Sequence, residues 1–220
     1  MKVDLKKQIE TYTAPAGAFE VVTVPPLQYL MLDGHGDPNT SPVYADALAT
    51  LYPVAYKLKF FSKTTLDMDY VVMPLEALWW AEDLTTFTSA RDKYEWDWTV
   101  MNLVPSWITD DHVADVIAML EQKGDAPALD RIRLAPLDEG LAVQTLHIGS
   151  YDDEGPVLAR MHDEYLPANG LVPTGKHHEI YVTDPRRTDA GTLRTILRQP
   201  VARVGSGPTA PGEAVHNVAT

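Results

Sequence analysis

The chain of 220 residues contains no cysteine. This absence excludes disulfides, thiol catalysis and thiolate metal sites, and it fits a reducing compartment, so we expect a cytoplasmic protein. Long apolar runs are also missing, because none approaches the roughly 18 residues that a membrane helix needs. The N-terminus lacks the apolar core of a signal peptide. We therefore expect no membrane partner.

Positive charge is scarce. Lys and Arg number 18 against 31 Asp and Glu, which gives a formal net charge of −13. Because nucleic-acid binding depends on Lys and Arg that neutralise phosphates, we expect no nucleic-acid partner. The composition, with 45% hydrophobic and 22% charged residues, is that of an ordinary globular protein. A chain of this length can bury one large core or two smaller ones.

Several catalytic motifs are absent as well. The sequence has no nucleophile elbow, Walker sequence, dinucleotide fingerprint or zincin helix. His177 and His178 form a pair, but adjacent strand residues point to opposite faces and cannot both bind one ion. We therefore expect neither a metal nor a cofactor. Carboxylate-assisted addition of water, or binding without chemistry, remains possible.

The most informative stretch is residues 175–188. The β-branched and aromatic residues after Glu179 favour a strand, which Pro185 ends because proline removes a backbone donor. Side chains alternate along a strand, so His177, Glu179 and Tyr181 share one face. A carboxylate and a phenol two residues apart therefore face the same space. A buried acid is costly unless it is paired or has a function.

Apolar periodicity, caps and turn residues predict the other elements. Helices are expected after the cap Ser41, with a kink at Pro53, after Thr109 and from Pro156. Strands are expected over residues 19–24, 27–33, 70–81, 96–104, 132–135, 141–148, 177–183 and 193–201.

This order is an internal repeat of strand, strand, helix, strand, strand. Residues 29–34 align with residues 144–149 without a gap. The fold class predicted is α+β, with two pseudo-symmetric halves that form one ligand cleft and helices packed on the outer faces. The expected boundaries are 1–18 for a polar N-terminal arm, 19–124 and 128–203 for the halves of one domain, 82–95 for a lid, and 204–220 for a flexible tail.

The repeat also suggests which residues face the cleft. Counting back from the acid that follows each motif strand sets Leu78 against Glu179 and Trp80 against Tyr181. Trp80 is then expected in the cleft and Trp79 in the core, since neighbouring strand residues face opposite ways. Glu179 has an apolar counterpart, so the carboxylate occurs in one half only.

A family resemblance rests on the same stretches. The motif from Glu179 to Pro185, together with residues 192–201, resembles the closing motif of the GyrI-like small-molecule-binding proteins. In that family a glutamate followed two residues later by an aromatic lies in a drug-binding cleft. Residues 74–80, with their Trp-Trp pair, and the Trp-Asp-Trp motif at 96–98 resemble a stand-alone branch that hydrolyses cyclopropanoid DNA-alkylating compounds. The resemblance covers residues 19–203 and implies SHS2-like halves.

The resemblance implies a flat, hydrophobic or aromatic small molecule as the ligand. Glu179 would activate a water that opens the strained ring, and a hydroxyl such as that of Tyr181, or a water, would stabilise charge developing on a conjugated carbonyl. The expected ligand-binding residues are Trp80, Trp98, Leu78, Trp96 and His177. Should Glu179 prove structural, Glu76 is the next acid to consider.

Other interpretations stay open. Glu179 can lie on a solvated strand face, Tyr181 can be a core aromatic, and five tryptophans are compatible with an ordinary core. GyrI-like domains also serve as drug-sensing modules fused to DNA-binding helices, although no helix-turn-helix is evident before this domain. A free-standing binding protein that sequesters drugs, or a protein that inhibits a topoisomerase, are further alternatives. The oligomeric state is not predicted.

Overall fold

The computed structural model describes residues 2–81, 93–122, 124 and 126–205. Most of the predicted lid, at 82–92, and most of the predicted tail, at 206–220, lie outside the described residues. Among the described residues, no helix has the length and apolar character needed to cross a membrane.

The described residues contain eleven strands and several helices, of which the helix Pro42–Thr65 is the longest. The strands are β1 (Lys2–Val3), β2 (Glu20–Val24), β3 (Leu27–His35), β4 (Asp69–Tyr70), β5 (Glu76–Trp80), β6 (Asp97–Val104), β7 (Arg133–Leu137), β8 (Gly140–Ile148), β9 (Leu171–Pro173), β10 (His177–Tyr181) and β11 (Arg194–Arg203). The helices are α1 (Leu5–Gln8), α2 (Pro42–Thr65), α3 (Asp110–Glu121), α4 (Gly155–Ala159), a π-helical segment (Arg160–Tyr165) and α5 (Leu166–Ala168).

The central sheet joins both halves of the repeat. Its strand order is β2-β8-β11-β10-β5-β6-β3-β7, with every pair antiparallel, and β9 extends one edge of β11. The halves meet where β5 pairs with β10. The α+β class and the strand, strand, helix, strand, strand order of both halves are confirmed.

The first strand of each half is exchanged. Strand β2 pairs with β8 of the second half, and β7 pairs with β3 of the first half. Only Pro25 and Pro26 separate β2 from β3. The tight hairpin turns that join adjacent strands need positive φ angles, which proline cannot adopt, so β2 and β3 cannot fold back on each other there.

Proline also divides one predicted strand. Residues 70–81 were expected to form a single strand, whereas the structure has β4 and β5 with Pro74 between them. The side chain of Asn102 donates hydrogen bonds to the carbonyl oxygens of Met73 and Pro74, at 2.7 and 3.0 Å. The carbonyl groups freed by the break are thus satisfied.

Helix α2 begins as predicted. The Oγ of Ser41 accepts a hydrogen bond from the backbone N–H of Tyr44, and Pro42 is the first helical residue. The helix continues through Pro53 and ends at Thr65. Together with α3 it packs on one face of the sheet, over the buried residues Leu30, Leu32, Ala77, Trp98 and Val100.

A second helical layer covers the other half of that same face. Met161 and Leu166 pack on Val143 and Leu197, which are buried residues of β8 and β11. Leu197 lies opposite Glu179 in the pairing of β11 with β10. Both helical layers therefore cover the face to which Glu179 points, and a space is left between them. The expectation that the helices pack on outer faces away from the cleft is wrong, because helix residues line this space.

The N-terminal arm covers the opposite face of the sheet. Tyr12 is buried there among Tyr29, Met31 and Leu78. The carbonyl oxygen of Pro15 accepts a hydrogen bond of 2.9 Å from the backbone N–H of Leu146. Although the arm reads as polar in sequence, it is a packed layer of the fold.

Candidate functional site

A cavity of about 880 Å³ opens between the two helical layers, above the junction of β5 and β10. This volume lies in the range of typical small-molecule sites. Its walls are rich in aromatic side chains from both halves of the chain. They are Tyr44, Tyr52, Tyr56, Trp79, Trp96, Tyr151 and Tyr181.

Glu179 and Tyr181 lie together in this cavity. The hydroxyl of Tyr181 donates a hydrogen bond of 2.7 Å to Oε2 of Glu179. Trp79 Nε1 donates a hydrogen bond of 3.2 Å to the same hydroxyl. These contacts form a chain from Trp79 through Tyr181 to Glu179, made possible because β10 alternation places both Glu179 and Tyr181 on the helical face. The carboxylate is therefore held in one orientation.

The other oxygen of Glu179 faces His177. The distance from Oε1 to His177 Nε2 is 3.5 Å, and both side chains are 14% exposed. His177 also lines the cavity. One oxygen of Glu179 is thus fixed by a phenol, while the other faces an imidazole that is not in close hydrogen-bond contact.

The Tyr181 hydroxyl stays protonated. Burial raises its pKa well above the ordinary value, and the negative charge of Glu179 raises it further. Burial likewise raises the pKa of Tyr151 to about 12. Near neutral pH these phenols act as hydrogen-bond donors or as stacking surfaces.

A second carboxyl group, which the sequence analysis missed, lies in the cavity. Glu154 follows the 3₁₀ turn Tyr151–Asp153 directly and precedes α4. It is only 5% exposed, and its Oε1 has no hydrogen-bond partner among the described residues. Burial and the charge of Glu179 raise its pKa to about 10, so Glu154 is a neutral acid at pH 7.

The sequence offered one signal for Glu154, its place in an acidic run just before a helix that starts with Gly155 and Pro156. Acids at helix starts are common because they complement the helix dipole. In this structure the side chain of Glu154 makes no capping hydrogen bond. The sequence around Glu154 is that of an ordinary helix start, so it does not indicate that this acid is buried.

The predicted positions of Trp79 and Trp80 are wrong. Trp79 lines the cavity, whereas Trp80 and Leu78 pack on the opposite face with the N-terminal arm. Nζ of Lys176 lies 3.1 Å from the centre of a Trp80 ring. Trp79, and not Trp80, shares the face of Tyr181, so the predicted alignment is out of register by one residue, and a shift of one residue reverses the face of every strand residue.

Trp98 is also outside the cavity lining. It shares the helical face with Trp79, its partner in the pairing of β5 with β6. Its ring is completely buried over Gly34, where an added Cβ would lie 2.1 Å from a ring atom. Trp98 supports Tyr44 by an edge contact of 4.9 Å between ring centres. Trp96, by contrast, lines the cavity as expected.

Glu76 faces away from the cavity. It is fully buried on the opposite face, where it contacts His178 Nε2 at 3.0 Å and accepts a hydrogen bond from the Tyr12 hydroxyl. His178 Nδ1 lies 3.0 Å from Glu139, which in turn pairs with Arg198 at 2.9 Å. Glu76 is therefore not a second candidate for the cavity. Across the part of the chain that the structure describes, no group of three or more His, Asp or Glu side chains could hold a metal.

An aromatic-lined cleft with an oriented carboxylate is typical of a small-molecule-binding site. The chain belongs to the GyrI-like family, because the model of the GyrI-like small molecule binding domain matches residues 18–202.

Solved structures from Listeria innocua are similar over nearly the whole chain. An uncharacterised conserved protein is 35% identical with a TM-score of 0.82, and 91% of this chain and 100% of that chain are covered. One hydrolase is 34% identical with a TM-score of 0.80, covering 92% and 100% of the two chains. Another hydrolase structure is 33% identical with a TM-score of 0.78, covering 91% and 100%. Among curated proteins, no sequence matches.

Proposed function

We propose that this protein is a hydrolase that adds water to the strained ring of cyclopropanoid DNA-alkylating compounds and so detoxifies them. The observation that carries the proposal is the hydrogen-bonded chain from Trp79 through Tyr181 to Glu179 in the aromatic cavity. The resemblance of residues 74–80 and 96–98 to the cyclopropanoid-hydrolysing branch supports the choice of substrate. The Listeria innocua hydrolases, about one-third identical, support hydrolysis.

The cavity suits a flat polycyclic ligand. Trp79 and Trp96 meet edge to face, with 5.7 Å between ring centres. Tyr151 and Tyr181 meet in the same way at 5.5 Å. Aromatic side chains in such arrangements offer ring faces and edges for stacking an electron-rich ligand. Substrate binding would then depend on apolar contact and not on ion pairing.

Glu179 is the base in this mechanism. Its carboxylate accepts a proton from a water molecule as the water oxygen attacks the methylene carbon of the cyclopropane. The hydroxyl of Tyr181, at 2.7 Å, holds the carboxylate in position. Tyr181 is thus assigned to orienting the base instead of stabilising the conjugated carbonyl. Strain in the three-membered ring supplies much of the driving force.

The direct experiment is to incubate the purified protein with a cyclopropanoid alkylator and to analyse the products by mass spectrometry. We expect a product heavier by one water. Glu179→Gln keeps the volume of the side chain and removes the base, so turnover should fall by about 10²–10⁴-fold while ligand binding changes little.

Glu164→Gln is the matched control, because Glu164 is an exposed acid of the π-helical segment and does not line the cavity. It should hydrolyse the substrate at the wild-type rate. A wild-type protein that binds the alkylator without releasing the hydrated product would refute the hydrolase assignment.

A binding protein that sequesters lipophilic cations is the second candidate function. It is favoured by a carboxylate set among aromatic rings, since both attract cations. In that case Glu179→Gln should weaken the binding of an aromatic cation measured by calorimetry and leave a neutral aromatic of the same shape unaffected. Equal affinity of wild type and variant for the cation would argue against this function.

A further inference from the structure

We propose that Glu154 is the general acid of this site and delivers a proton to the oxygen that receives the electron pair of the broken ring bond. The inference rests on the hydrolase function proposed above. It assigns the second carboxyl group of the cavity a role complementary to that of Glu179.

The position of Glu154 carries the argument. Its side chain lines the same cavity as Glu179 and comes from the segment between the 3₁₀ turn Tyr151–Asp153 and α4. It is 5% exposed, and Oε1 lacks a partner among the described residues. A buried polar atom without a partner is costly, and a ligand oxygen at this place would satisfy it.

Two nearby carboxyl groups do not both ionise readily in a buried site. Besides burial, the charges of Glu179 and Asp152 oppose ionisation of Glu154, while the hydroxyl of Thr195 and the ammonium group of Lys93 favour it. The balance raises the pKa of Glu154 to about 10. Glu179 accepts a hydrogen bond from the Tyr181 hydroxyl, whereas Oε1 of Glu154 has no donor among the described residues. Environments that separate two carboxyl groups in this way assign one as acid and the other as base.

The proton and electron balance of the reaction needs both groups. A water O–H bond breaks and its proton goes to Glu179, while the water oxygen bonds to the ring methylene. The ring C–C bond breaks, and its electron pair moves through the conjugated system to the carbonyl oxygen. That oxygen takes the proton of Glu154 and becomes a phenol. Exchange with solvent then returns a proton to Glu154 and removes one from Glu179, so the net change is the addition of one water.

The test compares Glu154→Gln with wild type and with the control Glu164→Gln. Glutamine keeps the shape and a hydrogen-bond donor but cannot transfer a proton. We expect kcat to fall by about 10²–10⁴-fold with little change in KM. Substrates whose ring-opened phenol is more acidic should lose less, because they depend less on protonation.

The pH profile separates an acid from a merely structural group. Wild-type kcat/KM should decline at alkaline pH with an apparent pKa near 10, since the acid must be protonated in the free enzyme. This alkaline decline should be absent in Glu154→Gln and present in Glu164→Gln. Infrared difference spectra at neutral pH should show a carboxylic-acid band that disappears only in Glu154→Gln.

Two results overturn the inference in distinguishable ways. If wild type forms no hydrated product, the proposed function and the role of Glu154 fail together. If wild type forms it and Glu154→Gln keeps the wild-type kcat and alkaline decline, only the role of Glu154 fails.

Discussion

The two faces of the central sheet give buried carboxyl groups different partners. On the face covered by the N-terminal arm, the carboxylate of Glu139 lies 3.0 Å from His178 Nδ1 and 2.9 Å from Arg198 Nη1. On the cavity face, Glu179 contacts a phenol, and Glu154 has an oxygen without a partner among the described residues. Strand β10 contributes side chains to both faces, because its neighbouring residues His178 and Glu179 point in opposite directions.

Opposite pKa shifts follow from this difference. Burial raises the pKa of Glu139, but the charges of His178 and Arg198 outweigh it and lower the pKa to about 2. Burial alone lowers the pKa of His178, whereas Glu139 and Glu76 raise it above its ordinary value. Glu154, with a pKa of about 10, has no such pairing. Removing one partner of a buried ion pair is strongly destabilising, whereas a buried acid without a cation partner marks a candidate functional site.

Removing Arg198 from its buried ion pair with Glu139 should have the largest effect on stability. Arg198 is fully buried, and Nη2 donates a hydrogen bond of 2.6 Å to the carbonyl oxygen of Thr11. Arg198→Met leaves Glu139 buried with one cation fewer and unties the arm. We expect the free energy of unfolding to fall by about 3–5 kcal/mol, measured by urea denaturation. A loss below about 1 kcal/mol would show that the network does not hold the arm.

Replacing Glu154, the buried acid without a cation partner among the described residues, should change stability by a smaller amount and in the opposite direction. Glu154 is protonated when folded and ionised when unfolded between pH 4.5 and about 10, so unfolding free energy falls as pH rises through this window. Glu154→Gln abolishes that dependence. At pH 6, which is 1.5 units above the unfolded pKa of 4.5, we expect it to be more stable than wild type by about 2 kcal/mol, and at pH 4 to be equal. Thermal unfolding at both pH values checks this, and equal stabilities at pH 6 contradict it.

The smallest expected effect is a difference in kcat/KM between variants of Trp79 and Trp80. Trp79→Phe keeps an aromatic ring in the cavity but removes the hydrogen bond to Tyr181, a loss of about 1 kcal/mol, or about fivefold in kcat/KM. Trp80→Phe alters only the opposite face and should leave kcat/KM unchanged. Steady-state kinetics of the two variants test this prediction. A larger loss of kcat/KM in Trp80→Phe than in Trp79→Phe would contradict the placement of Trp79 in the cavity.

Local patterns made much of the site predictable. Strand alternation placed His177, Glu179 and Tyr181 on one face, and the structure has all three in the cavity. The cap at Ser41 placed the start of α2. These features depend on residues close in sequence, whose geometry is set by strand and helix periodicity.

Features that depend on distant residues were not predictable in this way. Pro25 and Pro26 exclude a tight β2–β3 hairpin, but they do not select β8 as the partner of β2, because that choice is made between distant segments. The face of Trp79 could not be fixed by alignment alone, since a one-residue error reverses it. Glu154 resembled an ordinary acid at a helix start until burial showed otherwise.

The exchanged strands have a consequence for synthesis of the chain. Glu20 pairs with Gln144, so the first half cannot complete its sheet until β8 has left the ribosome. Pairings between segments this far apart close large loops and slow folding. Fragments cut between residues 124 and 128 should each remain incompletely folded alone and recover structure when mixed. In the nascent first half the β3 edge has no partner until β7 is made, so we expect this stage to be prone to aggregation.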